Sequence, residues 1–161
     1  MILLPPELRA ALRANADIAC LSGHDPAPVV RFFNPLGAAT WLATELDADG
    51  DTLFGLADLG FGCPELGSFS LSELEGIRLP FGLGIERDLA FATIHPLSRW
   101  AEWARTTGSI LWAERLPEAV ARLGDGLAGD AEPSPADPIR AGPPRADRHG
   151  GDAPELPSDD G

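Results

Sequence analysis

Five carboxylates stand in or beside stretches that read as β-strands: Glu45, Asp58, Glu65, Glu86 and Asp88. Carboxylates held in a common cleft can bind Mg²⁺ or Mn²⁺ for phosphoryl chemistry, provided the two ions sit about 4 Å apart. Asp58, Glu86 and Asp88 are the candidate metal ligands. Glu65 and Arg87 join them as candidate catalytic groups, with Arg31 the other nearby cation. The competing reading is plain: acids alternating along a strand usually form its solvent face.

Other constellations are weaker. Asp47, Asp49, Asp51 and Asp58 occupy positions 1, 3, 5 and 12 of a calcium-loop count. Glycine, however, falls at position 4 instead of 6, and the flanks are strand-like rather than helical. Gly60, Gly62 and Gly67 fit neither the dinucleotide fingerprint nor the P-loop, so a bend or bulge is the expectation. His24 beside Asp25 reads as a solvated loop histidine, and His95 as a cap for the helix that follows. Cys20 and Cys63, in a chain that opens without a basic signal segment, read as reduced thiols of a cytoplasmic protein.

The elements that must position these residues follow from periodicity. Pro5 and Pro6 suit a first helical turn, and Leu8, Ala11, Leu12, Ala16 and Ala19 make an apolar face interrupted by Asn15. Residues 28–34 read as a first strand, and Asn34-Pro35-Leu36-Gly37 as a type I turn. Residues 38–46 and 52–59 form a hairpin about Asp49-Gly50. A two-residue turn there pairs Leu46 with Leu53, Leu42 with Ala57 and Trp41 with Asp58. It places Leu42, Leu46, Leu53, Ala57 and Leu59 on the buried face, and Trp41, Glu45, Phe54, Leu56 and Asp58 on a mixed one.

Ser68-Phe69 suggests a short strand, and Ser70-Leu71-Ser72-Glu73 is a capping box opening a helix to about Ile77. Ile85, Leu89 and Phe91 alternate with Glu86 and Asp88, giving a strand with an acidic outer side. Pro96 starts a helix anchored by Trp100 and Trp103 and closed at Gly108. Residues 109–112 read as a last strand, and 117–123 as a final helical turn or two. The fold class is α+β: an antiparallel meander of about five strands, with a helix before it and helices packed after it.

Residues 1–124 form the single domain and residues 125–161 a disordered acidic tail. The tail holds seven prolines, six glycines and no aromatic residue, too little apolar surface to offset its ordering entropy. The whole chain carries a net charge of −13. Sixteen acids against nine arginines give the first 124 residues −7, and nine against three give the tail −6. No basic stripe is present, which argues against non-specific duplex DNA binding. No apolar run approaches the length of a membrane span.

LLPPELR, TWLATELDADGDTLFGLADLGFGCPELG, SLSEL, GIERDLAF and HPLSRWAEWAR occur in an order, over residues 2–107, that resembles the bacterial family of unknown function DUF2958. The resemblance implies a short bacterial protein of the kind found on plasmids and other mobile elements, without a settled activity or assigned site. Some relatives carry the label of single-stranded DNA endonuclease. Three functions are therefore weighed. The leading one is a non-enzymatic accessory protein with a protein partner and no cofactor. The others are a metal-dependent nuclease, with Mg²⁺ or Mn²⁺ and single-stranded DNA as substrate, and an acidic DNA mimic acting against a defence protein.

Overall fold

The structure is a computed structural model that describes residues 2–116. The expected helical turn at 117–123 and the expected disordered tail lie outside the described residues. Helix α1 (Pro6–Ile18) is followed by strands β1 (Val30–Phe33), β2 (Thr40–Leu46), β3 (Thr52–Asp58) and β4 (Glu65–Ser70). Helix α2 (Leu71–Gly76), strand β5 (Glu86–Arg87) and helices α3 (Leu97–Thr107) and α4 (Ile110–Ala113) complete it. The five strands form one antiparallel sheet in the order β4-β3-β2-β1-β5. The first four make the meander, and β5 returns across the molecule to extend the edge beside β1.

Helix α1 forms where the proline signal places it, with Pro6 in the first turn. Its inward side is not uniformly apolar. Leu12 is fully buried, while Arg9, Arg13 and Asn15 donate to the backbone carbonyls of Gly50 (2.5 Å), Leu46 (2.7 Å) and Thr44 (2.8 Å). Asn15 is thus a tether to the sheet, reaching the site where β2 bulges.

That bulge corrects the expected register. Leu46 pairs with Leu53 as expected, but the ladder shifts between Ala43 and Glu45. Leu42 then opposes Leu56, Trp41 opposes Ala57, and Thr40 opposes Asp58. A bulge inserts one unpaired residue and swings all residues beyond it to the other face. Here Thr44 is the extra residue, its hydroxyl bonded to the Phe54 carbonyl at 3.2 Å. Gly55 is what lets the strands close: a Cβ there would lie 1.8 Å from the Leu42 carbonyl oxygen. The turn also differs, because the Asp47 amide bonds the Thr52 carbonyl at 2.8 Å and encloses a four-residue loop. Gly50 takes a positive φ of 74° within it.

Both sheet faces are consequently covered, instead of one buried and one mixed. Trp41, Ala43, Leu46 and Leu53 pack with Val30, Phe32, Leu12, Leu71 and Leu74 under α1 and α2. Leu42 and Leu56 pack on the opposite face with Leu97, Trp100, Ala104, Ile110 and Ala113 of α3 and α4. Leu59, expected inside, is 56% exposed.

Three further local readings change. Strand β4 runs over six residues rather than two, because the whole of it pairs with β3. The acidic strand shrinks to the two residues of β5, since Asp88 turns its Oδ1 onto the Ala90 amide (2.9 Å) and bends the chain out of the sheet. Of residues 109–112, all but Ser109 are helical, not extended. Ser109 caps α4 by accepting from the Leu111 amide at 3.2 Å.

Candidate functional site

The seven acidic and basic candidates divide between four places. Asp58 ends β3 and is fully buried. Its Oδ1 accepts from the Gly60 amide (2.8 Å) and its Oδ2 from the Ile110 amide (3.0 Å). The first bond shapes the Gly60 bend, and the second satisfies a free donor in the first turn of α4. Asp58 is therefore a structural staple between β3 and α4, with each carboxylate oxygen holding a backbone amide.

Glu65 begins β4, at the other edge of the sheet from β5, and is exposed. Glu45 lies on β2 opposite Phe54, beside the bulge. Asp58, Thr40, Phe33 and Glu86 form one transverse row across β3, β2, β1 and β5. Three strand spacings separate Asp58 from Glu86, roughly 14 Å. Two ions about 4 Å apart cannot be shared over that gap. No group of three or more His, Cys, Asp or Glu side chains among the described residues is arranged to hold a metal ion.

Glu86, Arg87 and Asp88 do come together with Arg31, around a cavity of about 520 Å³ at the β1–β5 edge. Phe33, Pro35, Leu89 and Leu111 supply apolar walls, and Asn34, Gly37 and Thr40 close one end. The Asn34 turn that shapes this end is the one the sequence signals. Asn34 Oδ1 accepts from the Leu36 amide (2.9 Å) and its carbonyl from the Gly37 amide (3.2 Å).

Arg31 organises the cavity floor. Its Nη2 is paired with Asp88 and its Nη1 with Glu114 at 2.7 Å, and its guanidinium lies 5.2 Å from the Phe91 ring centroid. The clasp joins β1 to the segment after β5 and to the end of α4. Burial tends to push the Asp88 carboxyl up, but the Ala90 amide, the Arg31 pairing and the Phe91 amide outweigh it and hold its pKa below the ordinary value. Glu114 carried no signal in the sequence, and Phe91 and Leu111 signalled strands only, since their part here depends on where α4 and the chain after β5 land.

The turn acids behave differently. Asp49 accepts from the Thr52 hydroxyl (2.6 Å) and from the Asp51 and Thr52 amides (2.9 Å each). These bonds, the Thr52 hydroxyl foremost, lower its pKa to about 2. Asp51 accepts from the Ser70 hydroxyl (2.7 Å) and the Ser72 amide (2.7 Å), which hold its pKa down as well. Asp51 thereby completes the cap of α2, where Ser70 Oγ accepts from the Glu73 amide at 3.1 Å. Of the calcium-count acids, Asp49 and Asp51 are thus engaged by the hairpin and helix cap, and Asp58 by the Gly60 and Ile110 amides.

His95 is not a cap either. Its ring packs edge-on to Trp103 at 4.8 Å between centroids, and the first turn of α3 is served by Asp25, which accepts from the Ser98 amide at 3.1 Å. His24 is only partly exposed, with a buried Nε2, rather than fully solvated. Cys20 and Cys63 are exposed free thiols. No helix among the described residues is long and apolar enough to cross a membrane.

Fold and cavity together define an α+β domain with a five-stranded antiparallel sheet, helices on both faces and a pocket at one sheet edge. A family model described as a protein of unknown function, DUF2958, matches residues 3–111, and the chain belongs to that family. No curated protein and no solved structure matches it.

Proposed function

We propose that the chain is a non-enzymatic accessory protein that binds another protein through the β1–β5 edge pocket. The observation that carries this reading is the pocket itself, of ligand-site size and walled by apolar side chains, with Leu89 75% and Leu111 39% exposed on it. Exposed apolar residues grouped around a concavity suit a contact surface. A cytoplasmic setting agrees with the exposed free thiols. The mobile-element setting rests on the family resemblance alone.

The nuclease alternative asks Asp58 to leave both of its amide donors and Glu86 to act across three strand spacings. Nothing in the geometry favours that.

The test is crosslinking in host cells with the full chain and with Leu89→Glu, followed by reconstitution with the purified partner. One specific partner should be recovered by the wild type and lost with the variant. Equal recovery by both chains, or recovery of chaperones only, overturns the reading. So does cleavage of circular single-stranded DNA with Mg²⁺ or Mn²⁺ that disappears in Glu86→Ala.

A further inference from the structure

The carboxylates at the edge pocket are not equivalent. Asp88 and the nearby Glu114 share one counter-ion, Arg31, through its two terminal nitrogens. Glu86 is partly buried and has neither an ion pair nor a side-chain hydrogen bond among the described residues. Its register partner is Phe33, so by strand alternation it belongs to the face that also carries Arg31 and Thr40. Arg87 alternates onto the opposite face, opposite Phe32, and lines a second cavity with Glu7 and Leu8. Glu86 is therefore a carboxylate beside apolar walls without an ion pair, and Arg87, which also borders this cavity, is set by the register on the other face of the strand.

We propose that the pocket receives an arginine or lysine side chain from an extended segment of the partner protein, with Glu86 accepting its N–H donors. This rests on the interaction reading above and names its chemistry. A basic side chain fits both parts of the site. Its aliphatic stem lies along Phe33, Leu89 and Leu111 while its charged head reaches the carboxylate. The charge of the domain favours the same partner. Residues 1–124 carry sixteen acids against nine arginines, so a basic segment is drawn towards the surface and an acidic one repelled.

The probe is the peptide N-acetyl-Leu-Arg-Leu-amide, titrated into the ¹⁵N-labelled full chain and followed by amide chemical shifts. The neutral comparison peptide carries citrulline, which keeps the shape of arginine and removes its charge. Saturable shifts are expected at Asn34, Leu36, Gly37 and residues 86–89, with the citrulline peptide binding about tenfold more weakly. Glu86→Gln should weaken the arginine peptide by the same factor and leave the citrulline peptide unchanged, with the rest of the spectrum intact. Shifts that fail to saturate, that spread over the acidic surface, or that are equal in wild type and Glu86→Gln overturn the proposal. Tighter binding of N-acetyl-Leu-Glu-Leu-amide at the same amides overturns the cation assignment and leaves the interaction reading standing. The converse failure is separate: a partner recovered equally by Leu89→Glu sinks the interaction reading whatever the peptides do.

Discussion

Asp58 and Glu86 lie in the same transverse row of one sheet, and both are acids at the end of a strand or in a short one. Their surroundings make them opposites. Asp58 is walled in by α4 and the Gly60 bend, with each oxygen holding a backbone amide. Glu86 stands at the open edge beside a cavity, and its side chain has no ion pair or hydrogen bond among the described residues. A carboxylate's role follows from the donors placed around it, and here the strand order decides which acid meets amides and which meets solvent and a pocket.

The largest expected effect tests the interior half of this contrast. Asp58→Ala strips the acceptor from two amides and opens a cavity, which should cost about 3–5 kcal/mol. Asp58→Asn keeps one acceptor oxygen and should lose roughly half as much. Urea unfolding followed by tryptophan fluorescence measures both. If Asp58→Ala unfolds no more readily than the wild type, Asp58 is not a staple and its place as a site residue reopens.

Asp58 also shows what was legible in the sequence and what was not. Features set by neighbouring residues were readable: the proline start of α1, the Asn34 turn, the serine cap of α2 and the glycine close of α3. The overall α+β plan followed from these and from the alternating runs. What escaped depends on distant partners. The bulge at Thr44 exists because Asn15 comes from α1 to bond its carbonyl and Gly55 lets the strands approach. Residues 109–112 have strand-like composition, but Ser109 caps them and Asp58, far back in the chain, accepts from Ile110. Of the candidate set, Glu86, Arg87 and Asp88 stayed together because they are adjacent. Asp58 and Glu65 were separated from that group by the strand order, which no local pattern encodes.

An intermediate effect is expected at Arg31, which links the edge to the second core. Arg31→Met leaves Asp88 partly buried without its cation and should cost about 2 kcal/mol near neutral pH. The sign of the pH dependence follows from Asp88. Its folded-state pKa is depressed, so its contribution is full above the unfolded value near 4 and is lost as pH falls through the lower folded value. The stability gap between wild type and Arg31→Met should therefore narrow as pH drops from 5 towards 3. Thermal unfolding at stepped pH measures it. A gap that stays constant over that interval assigns Arg31 a packing role, through Phe91, and removes the ion pair from the account.

The smallest effect on stability, and the sharpest test of the contrast, belongs to Glu86. With no partner to lose, Glu86→Gln should shift unfolding by no more than about 0.5 kcal/mol in either direction. Removing a negative charge from an acidic surface even favours the variant slightly, through reduced self-repulsion. Conserved stability is what makes the peptide titration interpretable, since any loss of binding then reports the carboxylate and not the fold. A loss comparable with that of Asp58→Ala would mean that Glu86 holds the structure together. The edge and the interior would then differ in exposure alone, and the pocket would have no charge to spare for a ligand.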